Sequence, residues 1–271
     1  MNKRLLLSGA AILIALIVFT ILIINKANLS VHIKGGKATS LSVLVARASD
    51  FLKKGELLQA KSLYQQLLNE FPNSGEIVNW QKKIEEINIK LLFSSIPTLQ
   101  SALYEIKPAD TLAKIAREFK TTAELIMKSN KLAGDKILLG RKIKVWKTPF
   151  TILVYKSKNT LILRTDEEIL KTYIVSTGTN NSTPAGNFKI INKLPNPTWF
   201  KAGAVVAPGS PDNILGSRWL GFDLPGYGIH GTTDPGNLGK QVTQGCIRMS
   251  NPDVEELYTI IPIGTEVTIV D

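Results

Sequence analysis

The sequence predicts a multidomain protein: one N-terminal transmembrane helix, an α-helical segment, a small βααβ domain and a mainly β C-terminal domain. Three observations predict it. Residues 5–24 form a run of 20 without a charge, the length that spans a bilayer. Between residues 41 and 92 apolar side chains recur at i, i+3 and i+4, the spacing of amphipathic helices. From residue 150 the chain changes to short β-type runs broken by Gly, Pro and Asn clusters. With 271 residues, 44% apolar and 20% charged, the chain can build more than one core.

Residues 1–26 read as a cytoplasmic stub and membrane anchor. Lys3 and Arg4 precede the apolar run, which keeps the N-terminus cytoplasmic. A cleaved signal peptide has a shorter apolar stretch and a small-x-small exit, whereas the exit here is Ile24-Asn25-Lys26-Ala27, so an uncleaved anchor is expected. Everything beyond it then lies outside the cytoplasm, at the cell membrane facing a wall or periplasm. Disulfides form there, but a single cysteine, Cys246, cannot make one within the chain.

The charge is asymmetric. Residues 1–150 carry 23 Lys and Arg against 11 Asp and Glu, and residues 151–271 carry 10 against 11. The basic half suits anionic headgroups or acidic wall polymers, or is simply a solvated lysine surface. An external, anchored chain makes nucleic acid an unsuitable partner. Residues 27–38, with Gly35-Gly36 and His32, form a linker.

In residues 39–95, helices are expected over 41–54, 56–70 and about 75–92, the first two divided by Gly55 and the second ended by Phe71-Pro72-Asn73. The pattern Gly55-Glu56, Ala60, Tyr64, Leu68, Phe71-Pro72 resembles one tetratricopeptide repeat, with the third helix covering its open face. One repeat cannot bury its own apolar face, so the segment serves as a spacer or as a docking surface for a protein partner.

Residues 102–147 read as strand (102–106), two short helices and strand (142–146). Asp110 and Thr111 stand where a helix N-cap belongs, ahead of Leu112, Ile115 and Ala116 on one face. Tyr104-Glu105-Ile106, Asp110-Thr111-Leu112, Phe119, Ile126, Asn130, Leu132, Ile137, Gly140 and Ile143-Lys144-Val145 resemble a lysin motif (LysM), which implies binding of N-acetylglucosamine-containing glycan strands. Ala109 stands where the motif usually has Gly.

In residues 148–271, strands are expected over 151–155, 160–164, 172–175 and 266–270. A lone cysteine following a histidine by 16 residues, His230 and Cys246, reads as a thiol nucleophile and its base, or as a buried small apolar side chain. The runs Ser176-Thr177-Gly178, Thr183-Pro184-Ala185-Gly186, Asn213-Ile214-Leu215-Gly216, His230-Gly231-Thr232 and Thr243-Gln244-Gly245-Cys246-Ile247-Arg248-Met249 resemble the L,D-transpeptidase catalytic domain, also called YkuD-like. That resemblance implies a β-sandwich or barrel-like sheet with Cys246 on a groove floor. It also implies acyl transfer on peptidoglycan stem peptides, donor and acceptor, with no metal or organic cofactor.

Each residue suits that chemistry. A thiol needs help to ionise at neutral pH, and His230 is the base, because His32 belongs to the linker. The loop 231–245 is expected to fold back as a flap that brings the two together. Gly231 offers its carbonyl to fix the imidazole tautomer. Gly245 permits a sharp turn, so that its amide and that of Cys246 face an oxyanion. Thr243 supports the histidine or the loop. Arg248, two residues beyond Cys246, shares its face in an extended segment and suits a substrate carboxylate. Gln244 stands where the family commonly has His, which leaves His230 alone as base.

The expected activity is attack of Cys246 on a tetrapeptide stem, release of D-alanine and transfer to an amine. Water as acceptor makes the same chain an L,D-carboxypeptidase. A sortase separates His, Cys and Arg by other distances, and a non-catalytic wall-binding scaffold is the remaining reading.

Overall fold

A computed structural model describes residues 40–165, 168–201 and 203–271. The predicted anchor and linker lie outside these residues, and none of the described helices is long and apolar enough to cross a membrane. Helices α1 (Leu41–Lys54), α2 (Leu57–Glu70) and α3 (Ile77–Leu92) stand where their periodicity placed them. Leu44, Ala48, Ala60, Tyr64, Leu67, Trp80, Ile84, Ile87 and Leu91 form one core, so the third helix does cover the first two. Gly55 turns the chain between them at φ +76°, a conformation that glycine adopts without steric cost.

The small domain comprises β1 (Ser101–Glu105), α4 (Leu112–Glu118), α5 (Ala123–Ser129) and β2 (Lys142–Trp146), with the two strands antiparallel. Thr111 caps α4 by accepting the Lys114 N–H. Asp110 does not share that duty, as the sequence suggested. Its carboxylate accepts the Tyr104 hydroxyl and the Lys107 N–H, each at 2.8 Å, and so closes the β1–α4 turn. Ala109 sits at φ 63°, the left-handed region a glycine would occupy; the alanine follows the glycine geometry at a steric cost.

The C-terminal domain holds β3 (Thr151–Tyr155), β4 (Thr160–Arg164), β5 (Ile169–Ile174), β6 (Thr177–Gly178), β7 (Gly186–Pro195), β8 (Trp199–Lys201), β9 (Ala204–Val206), β10 (Arg218–Phe222), β11 (Gly228–His230), β12 (Gln241–Thr243), β13 (Ile247–Arg248), α6 (Asn251–Ile260) and β14 (Glu266–Val270). Eight strands form one mixed sheet in the order β13-β11-β10-β7-β14-β3-β4-β5. Alternate residues, among them Ile152, Val154, Val267 and Ile269, face a core shared with Val254, Leu257 and Ile260 of α6. The two ends of this sheet meet. Ser176, just past β5, exchanges both backbone hydrogen bonds with Arg248 of β13, at 2.8 and 2.9 Å. Of the two forms expected, sandwich or barrel, the sheet is therefore the barrel-like one, curled until a single bridge closes it.

The helical segment docks on this sheet. β5 is an end strand with a free edge, and free edges template unwanted pairing. Glu85 of α3 accepts the Thr172 N–H and hydroxyl, Asn88 donates to the Ile169 carbonyl, and Lys61 pairs with Glu168 at 2.7 Å. The small domain is tied in as well. Buried Lys144 of β2 donates to the Leu91 and Ser94 carbonyls at the end of α3, at 2.6 and 2.9 Å, where a helix presents its negative pole. Burial pushes that lysine down to about 8. Leu92, Leu125 and Trp146 join the C-terminal core.

Ala109→Gly is expected to raise stability by about 1 kcal/mol by relieving the left-handed alanine, less the entropy glycine adds to the unfolded chain. Urea denaturation of the two proteins measures it; an unchanged or lower midpoint contradicts the assignment of cost to Ala109.

Candidate active site

The site grows out of two short strands. β11 and β13 pair in parallel with Ile229 opposite Ile247 and His230 opposite Arg248. Side chains alternate across a strand. Ile229, Ile247 and Met249 go into the core, so His230, Cys246 and Arg248 share the opposite face. Gly228 lies on that face without a side chain. A Cβ there would stand 2.9 Å from the Trp219 ring, and Trp219, registered opposite His230 on β10, stacks on the imidazole at 6.0 Å between centroids. Parallel strands need a connection, and the expected flap, 231–245, supplies it. It is no loose flap: β12 pairs with β6, the Gly239 N–H donates to the Val175 carbonyl, and Ser176 Oγ donates to the Asn237 carbonyl at 2.7 Å.

His230 is 2% exposed. Its Nδ1 lies 2.7 Å from the Gly231 carbonyl. A carbonyl can only accept, so Nδ1 carries the proton and Nε2 the lone pair in the neutral ring. Burial pushes the imidazole down to about 4; the Gly231 and Ile214 carbonyls oppose this, and the Arg248 charge adds to it. Cys246 is half-buried, with its thiol 3.4 Å from the Gly226 carbonyl. Burial pushes the thiol up, while the Gly228 N–H and the Arg248 charge favour the thiolate. At neutral pH the site therefore holds a thiol and a neutral imidazole.

The turn before Cys246 is built by Thr243, 5% exposed. Its hydroxyl donates to the Cys246 carbonyl at 2.6 Å and accepts the Gly245 N–H at 3.2 Å. Of the two tasks considered for it, Thr243 performs the loop task. Gly245 sits at φ +130°, and a Cβ there would lie 2.7 Å from the Tyr227 ring, so glycine is required. Its amide is given to Thr243 and is not left open to an oxyanion as expected. Gln244 is exposed. Arg248 Nε is buried with no hydrogen-bond partner among the described residues, a state that buried polar groups seldom hold.

The sequence did not point to Asn251 or to the task of Asn213. Asn251 Oδ1 accepts the N–H groups of Ser217 and Thr232, and its Nδ2 donates to the Thr232 carbonyl. Asn213, buried, donates to the Pro197 and Ala207 carbonyls and accepts the Leu215 N–H, which shapes the loop that carries Ile214. The available signal was Ser250-Asn251-Pro252: Ser250 already caps α6, which leaves the asparagine without a local duty. A cleft of about 380 Å³ lies in the small domain between Thr111, Leu112, Met127, Asp135 and Ile137.

Residues 149–269 match the L,D-transpeptidase catalytic domain (YkuD), and residues 104–146 match the LysM domain. The putative L,D-transpeptidase YkuD of Bacillus licheniformis is 37% identical over 175 residues, covering 62% of this chain and 98% of that protein. The protein of the same name from Bacillus subtilis is 36% identical over 173 residues, covering 61% and 97%. The putative L,D-transpeptidase YqjB of Bacillus subtilis is 44% identical over 126 residues, covering 44% and 70%. This chain belongs to the YkuD family of L,D-transpeptidases and carries a LysM domain. Neither domain match reaches the helical segment 39–95.

The buried imidazole has a consequence for stability. Unfolded, His230 titrates near 6.5, and folded near 4. Between these values the unfolded chain binds more protons, so stability is full above about pH 6.5 and falls as the pH drops toward 4, by on the order of 3 kcal/mol. Denaturation midpoints from pH 7 to 4.5 should show this loss in the native protein, and a His230→Gln variant should lack it; parallel curves for the two would contradict it.

Proposed function

We propose that this chain is a membrane-anchored, extracytoplasmic L,D-transpeptidase of peptidoglycan that uses Cys246 as its nucleophile. The observation that carries the reading is the parallel register of β11 and β13, which sets the single cysteine, a neutral histidine and an arginine on one face. Arg248 receives a carboxylate of the tetrapeptide stem. His230 Nε2 takes the thiol proton as sulfur attacks the carbonyl of the third stem residue. The Cys246 amide faces the developing oxyanion, since that of Gly245 is held by Thr243. The C–N bond to the terminal D-alanine breaks, and its amine leaves with the proton from the imidazolium. An amine of a second stem then attacks the thioester, forms an amide crosslink and returns the proton to sulfur through His230. No metal or cofactor enters these steps.

Water in place of the amine makes the reaction an L,D-carboxypeptidation. The LysM cleft takes a glycan strand, and the predicted anchor at 5–24 keeps the enzyme against the wall. The contrasting reading is a wall-binding scaffold without turnover.

Mass spectrometry of the protein after exposure to a tetrapeptide stem or a carbapenem is expected to show one acyl adduct, on Cys246. Cys246→Ala should form none and lose crosslinking by more than 1000-fold, while still sedimenting with insoluble peptidoglycan. An unmodified Cys246, under conditions where a control L,D-transpeptidase is acylated, refutes the enzyme and favours the scaffold.

A further inference from the structure

His230 depends on one peptide group. Its Nδ1–H is directed by the Gly231 carbonyl at 2.7 Å, and that carbonyl belongs to the planar unit completed by the Thr232 N–H. The peptide bond does not twist, so whatever grips the N–H also aims the C=O. The grip is Asn251, whose Oδ1 accepts the Thr232 N–H at 3.0 Å while its Nδ2 donates to the Thr232 carbonyl at 2.9 Å. The same Oδ1 accepts the Ser217 N–H at 3.1 Å, tying in the loop whose Ile214 carbonyl also acts on His230.

The approach is closer than side chains at the neighbouring positions would permit. A Cβ on Gly231 or Gly216 would stand 2.2 or 2.3 Å from Asn251 Oδ1. Gly231 is therefore required by the asparagine, and Gly216 by the asparagine and the Thr232 amide together; Gly231 serves the site twice, through its carbonyl and through its missing side chain. Asn251 also opens α6, directly behind β13 and two residues after Met249, whose N–H donates to the His230 carbonyl at 2.8 Å. One side chain thus joins three segments around the imidazole: the loop at 216–217, the turn at 231–232 and the helix.

We propose that Asn251 is a positioning residue for catalysis, holding the Gly231–Thr232 peptide so that its carbonyl keeps the proton of His230 on Nδ1 and leaves Nε2 free to act on Cys246. It does not touch the reacting atoms. An amide is needed because the site calls for two acceptances and one donation from one planar group. Aspartate can accept but not donate, and it would face the Thr232 carbonyl with negative charge. The proposal rests on Cys246 and His230 acting as nucleophile and base.

The test is steady-state turnover of the full chain on a tetrapeptide donor with an amine acceptor, for Asn251→Ala, Asn251→Asp, Ser250→Ala and Cys246→Ala. Asn251→Ala should lower kcat by 10- to 100-fold with KM within 2-fold. Asn251→Asp should lower kcat by about 10-fold and move the acid limb of its pH profile upward, because the new carboxylate favours the imidazolium. Ser250→Ala removes the α6 cap one residue away; it should lower the melting temperature and keep kcat within 2-fold. Equal losses in Ser250→Ala and Asn251→Ala, or a native kcat and pH profile in both Asn251 variants, overturn the proposal. Should the alanine variant not fold, the isosteric aspartate, which keeps both accepted N–H groups, decides by its pH profile. Turnover surviving in Cys246→Ala would instead remove the nucleophile reading itself.

Discussion

Two backbone hydrogen bonds between Ser176 and Arg248 are the constraint on which the rest of the C-terminal domain depends. They join the far ends of an eight-stranded sheet and do so at β13, a strand of only two residues. A strand so short has little pairing of its own. It is held by β11 on one side and Ser176 on the other, and it is the strand that follows Cys246 directly. Cys246 is thus carried at the seam where the curled sheet closes, and the apolar layer beneath it, Ile229, Ile247 and Met249, excludes water from one side.

The electrostatics follow from that placement. Burial holds His230 neutral and the thiol protonated, and Arg248, on the same face of the sheet, favours the thiolate while disfavouring the imidazolium. Imidazole and thiol are therefore both uncharged at neutral pH. A buried neutral pair costs less than a buried ion pair. Gly231, Thr243 and Asn251 hold the backbone around His230 and Cys246 through hydrogen bonds.

The other segments are fastened to this domain instead of hanging from it. α3 satisfies the free edge of β5 with Glu85 and Asn88, and Lys144 seals the end of α3 from the LysM side. Each of these contacts gives a polar side chain at an internal boundary a backbone partner, which is the condition for burying polar groups there. The helical segment is accordingly a brace for the sheet as well as a domain of its own.

Local pattern was enough for the elements. Helical periodicity located α1 to α3, β-type runs located β3, β4 and β14, and the cluster from Thr243 to Arg248 marked the candidate site, because alternation and turn chemistry act over a few residues. The tasks of Asp110, Thr243 and Gly245 were less legible, since a side chain near a turn has several backbone partners in reach and the choice among them is made in three dimensions. Asn251 was not legible at all, because its partners lie 19 and 34 residues away. What the sequence determined by itself was the order of segments and the residue types able to perform thiol chemistry. Only the tertiary structure decided that the sheet closes at Arg248, that His230 is buried and neutral, and that Asn251 aims its carbonyl partner, because each of these depends on packing between segments remote in the chain.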